Sequence, residues 1–102
     1  MKIAFKMKLF PGFADEYKKR HAEIWPELSA LLKENGISDY TIFLDEETDV
    51  LFAVQQQNGQ SSQDLGSTAI LQKWWAYMAD IMETNPDYSP VSKPLIQVFH
   101  LD

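Results

Sequence analysis

A strict two-residue alternation at the N-terminus constrains this chain most. Residues 2–9 read KIAFKMKL, and Ile3, Phe5, Met7 and Leu9 alternate with Lys2, Ala4, Lys6 and Lys8. Successive strand side chains point to opposite faces, so this is a strand with one apolar face. Pro11-Gly12 breaks it. The period then lengthens to 3.6. Tyr17, His21, Ile24, Trp25, Leu28, Leu31 and Leu32 fall on one helical stripe. Asp15 and Glu16 open it, where negative charge suits a helix N-terminus. Asp15/Lys19 and Glu16/Arg20 are i,i+4 pairs expected on the wet side. Pro26 inside the stripe predicts a kink or a restarted helix. Asn35-Gly36 is a C-cap signal.

The second half repeats the logic. ISDYTIFLD (37–45) and VLFAVQQQ (50–57) read as a hairpin around an acidic turn with Glu46, Glu47 and Asp49. Asn58-Gly59 ends it. Ser61, Ser62 and Asp64 are candidate caps for a second helix, whose apolar stripe is Leu71, Trp74, Trp75, Met78, Ile81 and Met82. Gly66 weakens its first turns, so the start moves toward Ser67 or Thr68. NPDYSPVSKP (85–94) holds three prolines and reads as a loop, and LIQVFHL (95–101) as a final strand. The order is β-α-β-β-α-β. In 102 residues it predicts one α+β domain, the ferredoxin-like antiparallel sheet with two helices on one face.

Helices on one face should leave the other polar. The hairpin instead has Phe43 opposite Tyr40, Ile42 and Leu44, and Val50, Phe52 and Val54 opposite Leu51 and Ala53. The last strand has apolar residues on both sides. A covered second face is expected, and a second copy is the available cover: a homodimer packing sheet to sheet.

Composition removes function classes. The absence of cysteine excludes disulfides, thiolate metal sites and a cysteine nucleophile. A net charge of −6 argues against a nucleic-acid partner. No stretch approaches the roughly 20 apolar residues of a membrane span. The lysines at 2, 6 and 8 interrupt any signal-peptide core, so the expected address is the cytoplasm. No phosphate loop, dinucleotide fingerprint, nucleophile elbow or zinc-helix motif occurs, and no cofactor or metal is expected.

Acid–base and aromatic groups remain. Tyr17 and His21 share a helix face, as a general acid or base beside a phenol or as a buried histidine with a packed tyrosine. Adjacent Trp74 and Trp75 are a stacking wall for a ligand with an apolar face, or core plus a partner contact. Trp25-Pro26 reads as core or hinge. Tyr40 opens a strand and could reach a pocket mouth. His100 reads as a sheet-face or interface histidine, and Asp45-Glu46-Glu47 as a solvated turn. A lysine of the first strand could also point into a cavity.

The segments YKKRHAEIWPEL (17–28), ISDYTIFLD (37–45), LFAV (51–54), QKWWAYM (72–78), NPDYSPV (85–91) and VFHLD (98–102) carry a resemblance. Over nearly its whole length the chain resembles the L-rhamnose mutarotases. That resemblance implies a small cytoplasmic homodimer, a dimeric α+β barrel whose subunits exchange strand contacts. It implies no metal or organic cofactor, and interconversion of the α and β anomers of L-rhamnose. By motif, His21 is the proton donor, Tyr17 and Tyr40 contact sugar, and Trp74 and Trp75 line the sugar site. Tyr88 departs from the small polar residue often found in the proline loop, and NGQSSQDLG (58–66) is richer in glycine and serine than expected. Two other readings stand beside this one. One is a cofactor-free monooxygenase of the dimeric barrel type. The other is a non-catalytic dimeric binding module in which His21 and the tryptophan pair are buried structure.

Overall fold

The computed structural model describes residues 1–58, 65 and 68–102. The elements are β1 (Lys2–Lys8), α1 (Ala14–Ala22), α2 (Pro26–Glu34), β2 (Ile37–Asp45), β3 (Val50–Gln57), α3 (Ala69–Met78) and β4 (Lys93–Pro94). The strands form one antiparallel sheet in the order β2-β3-β1-β4. The first strand and the hairpin match their expected bounds to within a residue. Ser61, Ser62, Asp64, Gly66 and Ser67 lie outside the described residues, and so do the suggested roles of the first three as caps; α3 itself starts at Ala69 with Thr68 at its N-cap position, beside the expected start.

The expected first helix is two helices. Pro26 has no N–H to donate and forces the residue before it out of helical geometry, and Trp25 sits at φ −62°, ψ 131°. α1 therefore stops at Ala22, and α2 restarts with Pro26 in its first turn, where the missing N–H costs nothing. The described helices number three rather than two. Gly36 ends α2 at φ 81°, and a Cβ there would lie 2.9 Å from the Asn58 carbonyl oxygen, so only glycine fits. The Asn58 N–H donates to the Gly36 carbonyl at 3.0 Å, tying the hairpin base to the end of α2.

Register fixes the faces. Phe5 and Met7 pair with Ala53 and Leu51, which pair in turn with Ile42 and Leu44. This face carries the core, together with Leu28 of α2 and Leu71, Trp74, Trp75 and Met78 of α3. Full burial of each such side chain stabilises by about 1.5–3 kcal/mol. The opposite face runs through Lys6, Phe52 and Phe43, and Phe43 is 62% exposed. Lys2, Lys6 and Lys8 share that open face, so none of them lines the cavity described below. Lys8 instead donates to the Thr48 carbonyl.

Two further expectations need correction at the C-terminal end. The apolar spacing of Ile81 and Met82 continues that of α3, yet the helix ends at Met78. Both residues are buried because the chain runs on beside β1: Phe10 donates to the Ile81 carbonyl at 2.9 Å, and Glu83 to that of Lys8 at 2.9 Å. The final strand is the second. Ladder pairing is confined to Lys93–Pro94, inside the expected loop, and is followed by one bond from Leu95 N–H to the Ala4 carbonyl at 2.9 Å. Residues 96–101 lie outside the sheet with Ile96, Val98, Phe99 and Leu101 exposed. Alternation there records an apolar strand pattern, but no strand among the described residues pairs with it.

Candidate active site

A cavity of about 660 Å³ lies between the core face of the sheet and the helices. Such a volume is within the usual range for small-molecule pockets. The sheet contributes Met7, Ile37, Tyr40 and Ile42, α1 contributes Tyr17 and His21, and α3 contributes Trp74 and Trp75. All five site residues expected from the sequence thus line one space, although they come from three elements.

His21 is the polar centre. Four residues apart on α1, the Tyr17 and His21 rings stack at 4.3 Å and 26°. His21 Nδ1 lies 3.0 Å from the Tyr17 carbonyl oxygen. A carbonyl has no hydrogen to give, so Nδ1 carries the proton and Nε2 bears the lone pair of the neutral ring. Burial disfavours the imidazolium and holds the histidine below its ordinary value, with the carbonyl contact partly opposing the shift. Burial also pushes the Tyr17 phenol far up, helped by Tyr40, so it stays a neutral O–H. Trp74 meets His21 edge-on at 5.4 Å and 88°. Both tryptophans are buried although adjacent on the helix.

Several neighbours were not named as site residues from the sequence. Lys18, Lys33 and Asp39 line the cavity beside the aromatic groups. Asp39 has φ 48° at the register shift between Ser38 and Thr41, a bulge that re-aims the strand next to Tyr40. A lone aspartate in a β-branched run was the available signal. Thr84, Tyr88 and Pro90 line the cavity from the proline loop, with Tyr88 half exposed at φ 70°. Trp25 packs edge-on against Trp74 at 5.1 Å and stacks on Tyr77 at 5.6 Å. It is therefore hinge and core, backing Trp74 without lining the cavity.

Two expected features fall outside the cavity. His100 sits in the exposed C-terminal segment, 3.0 Å from the Asp102 carboxylate. Glu46 and Glu47 of the acidic turn are exposed. Among the described residues no three His, Asp or Glu side chains come together to hold a metal ion, and no helix is long and apolar enough to cross a membrane.

Fold and cavity together define a small α+β protein with an aromatic-walled pocket built around one neutral imidazole. Comparison with known proteins narrows that class. Residues 2–101 match the L-rhamnose mutarotase family. An L-rhamnose mutarotase of Bacteroides thetaiotaomicron is 66% identical over 100 residues, covering 97% of this chain and 96% of that protein. One of Phocaeicola vulgatus is 60% identical with the same coverage. The crystal structure of L-rhamnose mutarotase FA22100 from Formosa agariphila superposes with a TM-score of 0.94 at 54% identity, covering 100% of this chain and 99% of that one. The chain belongs to the L-rhamnose mutarotase family.

Proposed function

We propose that this chain, acting as a single domain over residues 1–102, interconverts the α and β anomers of L-rhamnose, with His21 moving the proton. The observation that carries this is a neutral His21 whose Nδ1 is already committed, leaving Nε2 for substrate inside an aromatic cavity. Mutarotation removes the proton of the anomeric hydroxyl and adds one to the ring oxygen. The C1–O5 bond breaks, the aldehyde turns about C1–C2, and the ring recloses on the other face. A group that is neutral at pH 7 accepts the proton of the anomeric hydroxyl and passes it to the ring oxygen as the C1–O5 bond breaks, and on closure it takes the proton of the O5 hydroxyl and gives one to the carbonyl oxygen. Tyr17 and Tyr40 hold sugar hydroxyls, and Trp74 and Trp75 offer apolar surface to the C–H face and methyl group of a 6-deoxy sugar. No covalent intermediate is needed.

The finer architectural readings belong here too. Read from its other edge, the strand order is β4-β1-β3-β2, and all neighbours are antiparallel, which supports a ferredoxin-like arrangement. The exposed Phe43 and the exposed apolar segment 96–101 support a homodimer joined across the open face as an α+β barrel. A cytoplasmic address is in keeping with the family and with a sugar substrate. The family match does not favour the monooxygenase or the non-catalytic module.

Magnetisation transfer between the anomeric protons of L-rhamnose tests the activity. The protein accelerates exchange, and His21→Ala lowers the acceleration by roughly 10²–10⁴-fold. Undiminished exchange in that variant would refute the role of His21.

A further inference from the structure

Arg20 immediately precedes His21 on α1, and it does not lie on a wet face as expected. Its side chain is only 10% exposed. Nε donates to Glu16 Oε2 at 2.7 Å, Nη1 to the Tyr77 carbonyl at 2.7 Å and to Asp80 Oδ1 at 2.8 Å, and Nη2 to Asp80 Oδ2 at 3.2 Å. The guanidinium also lies 4.4 Å from the Tyr77 ring centroid. Only a planar fork with several fixed donors can meet one carboxylate with two parallel bonds while keeping the others.

The partners lie on different elements. Glu16 is on α1, whereas Tyr77 and Asp80 flank the end of α3. A carboxylate beside a helix C-terminus opposes the helix dipole, so Asp80 stands in a poor place unless a cation accompanies it. The Tyr77 carbonyl belongs to the last turn, whose acceptors lack partners within the helix. Arg20 meets both needs at once. From Tyr77 the contacts run back to the cavity through Trp25 (5.6 Å), then Trp74 (5.1 Å), then His21 (5.4 Å). α1 has nine residues, no side-chain cap and the Pro26 break after it, so it has little of its own to hold His21 in place.

We propose that Arg20 and Asp80 form a positioning clamp that locks the last turn of α1 to the end of α3, fixing His21 against Trp74 across the cavity. Neither residue touches the cavity, and both act through the aromatic chain. The clamp's catalytic meaning rests on the reading of His21 as the proton carrier.

The test compares wild type with Asp80→Ala and Arg20→Lys. His21 shares its cavity with Tyr17, Lys18, Lys33, Asp39, Tyr40 and Tyr88, and none of these is altered. The chain has two histidines, so His100→Gln assigns their ring resonances in an NMR titration. In wild type the His21 midpoint lies below the ordinary value near 6.5. In Asp80→Ala the freed helix end admits water, and the midpoint rises toward 6.5. Exchange of L-rhamnose anomers falls about tenfold or more, because small misplacements of a reacting group are costly. Arg20→Lys keeps the charge but not the fork, and its midpoint rises part of the way. A lower melting temperature with an unmoved His21 midpoint would reduce the clamp to a merely structural contact and overturn the proposal. If wild type exchanges no rhamnose anomers, the functional reading fails, while the titration still decides the clamp.

Discussion

The two faces of the sheet share the same strands and differ in what finishes them. On one face Leu51 is 1% exposed, Phe5, Met7 and Ala53 are buried, and the helices of the same chain close over them around the cavity. On the other, Phe43 is 62% exposed although it sits one residue from Leu44 in a regular ladder. The apolar segment beyond β4 continues this unfinished character, with Val98 at 92% exposure. An alternating strand buries half its side chains against its own helices, and only another molecule can bury the rest. The cavity face is closed within the chain, and the open face is where the proposed association would have to finish it.

Paired substitutions across one strand junction would break this comparison most directly. Leu51→Ala is expected to destabilise the fold by about 2–5 kcal/mol in urea titration. Phe43→Ala, on the other face, is expected to change monomer stability by less than about 0.5 kcal/mol. Equal losses from both would mean that the two faces are equally finished within the chain.

Association sharpens it further. Phe43→Lys and Val98→Lys are each expected to weaken self-association about 10–100-fold in sedimentation equilibrium, equivalent to about 1.4–2.8 kcal/mol. A wild-type protein that is monomeric at micromolar concentration would remove the dimer altogether.

The smallest effect is the pH dependence of the cavity face. The folded-state value of His21 is depressed below that of the unfolded chain, so the unfolded state binds the extra proton first. Stability is fully present above about pH 6.5. It declines as pH falls from there through the folded-state value. The melting temperature should show that decline in wild type, and His21→Gln should flatten it.

What could be read in advance follows the same division. β1, β2 and β3 were legible because alternation reports burial on a face the chain itself covers. The Pro26 break and the Gly36 stop were legible because both residues restrict backbone geometry locally. Tyr17 and His21 were paired by helical spacing alone, and the family resemblance brought Tyr40, Trp74 and Trp75 into the same space. Residues 95–101 were misread because alternation marks strand-like chemistry but cannot supply a neighbour. Ile81 and Met82 were misread because burial beside β1 mimics helical spacing. Arg20 was misread because an i,i+4 pair with Glu16 explained it locally, while its second partner, Asp80, lies 60 residues away.

Tyr88 at the cavity edge has a consequence for directed evolution. A bulky residue at φ 70° costs about 1–2 kcal/mol relative to glycine, in a turn tied by the Tyr88 N–H donating to the Asn85 carbonyl at 2.9 Å and the Asn85 N–H to the Ser89 carbonyl at 2.8 Å. Selection for heat resistance alone would therefore favour glycine or asparagine at position 88. It would remove an aromatic ring from the entrance while every assay of folding improved. Thermal hardening of this protein and retention of that ring at the cavity edge pull in opposite directions at this one residue.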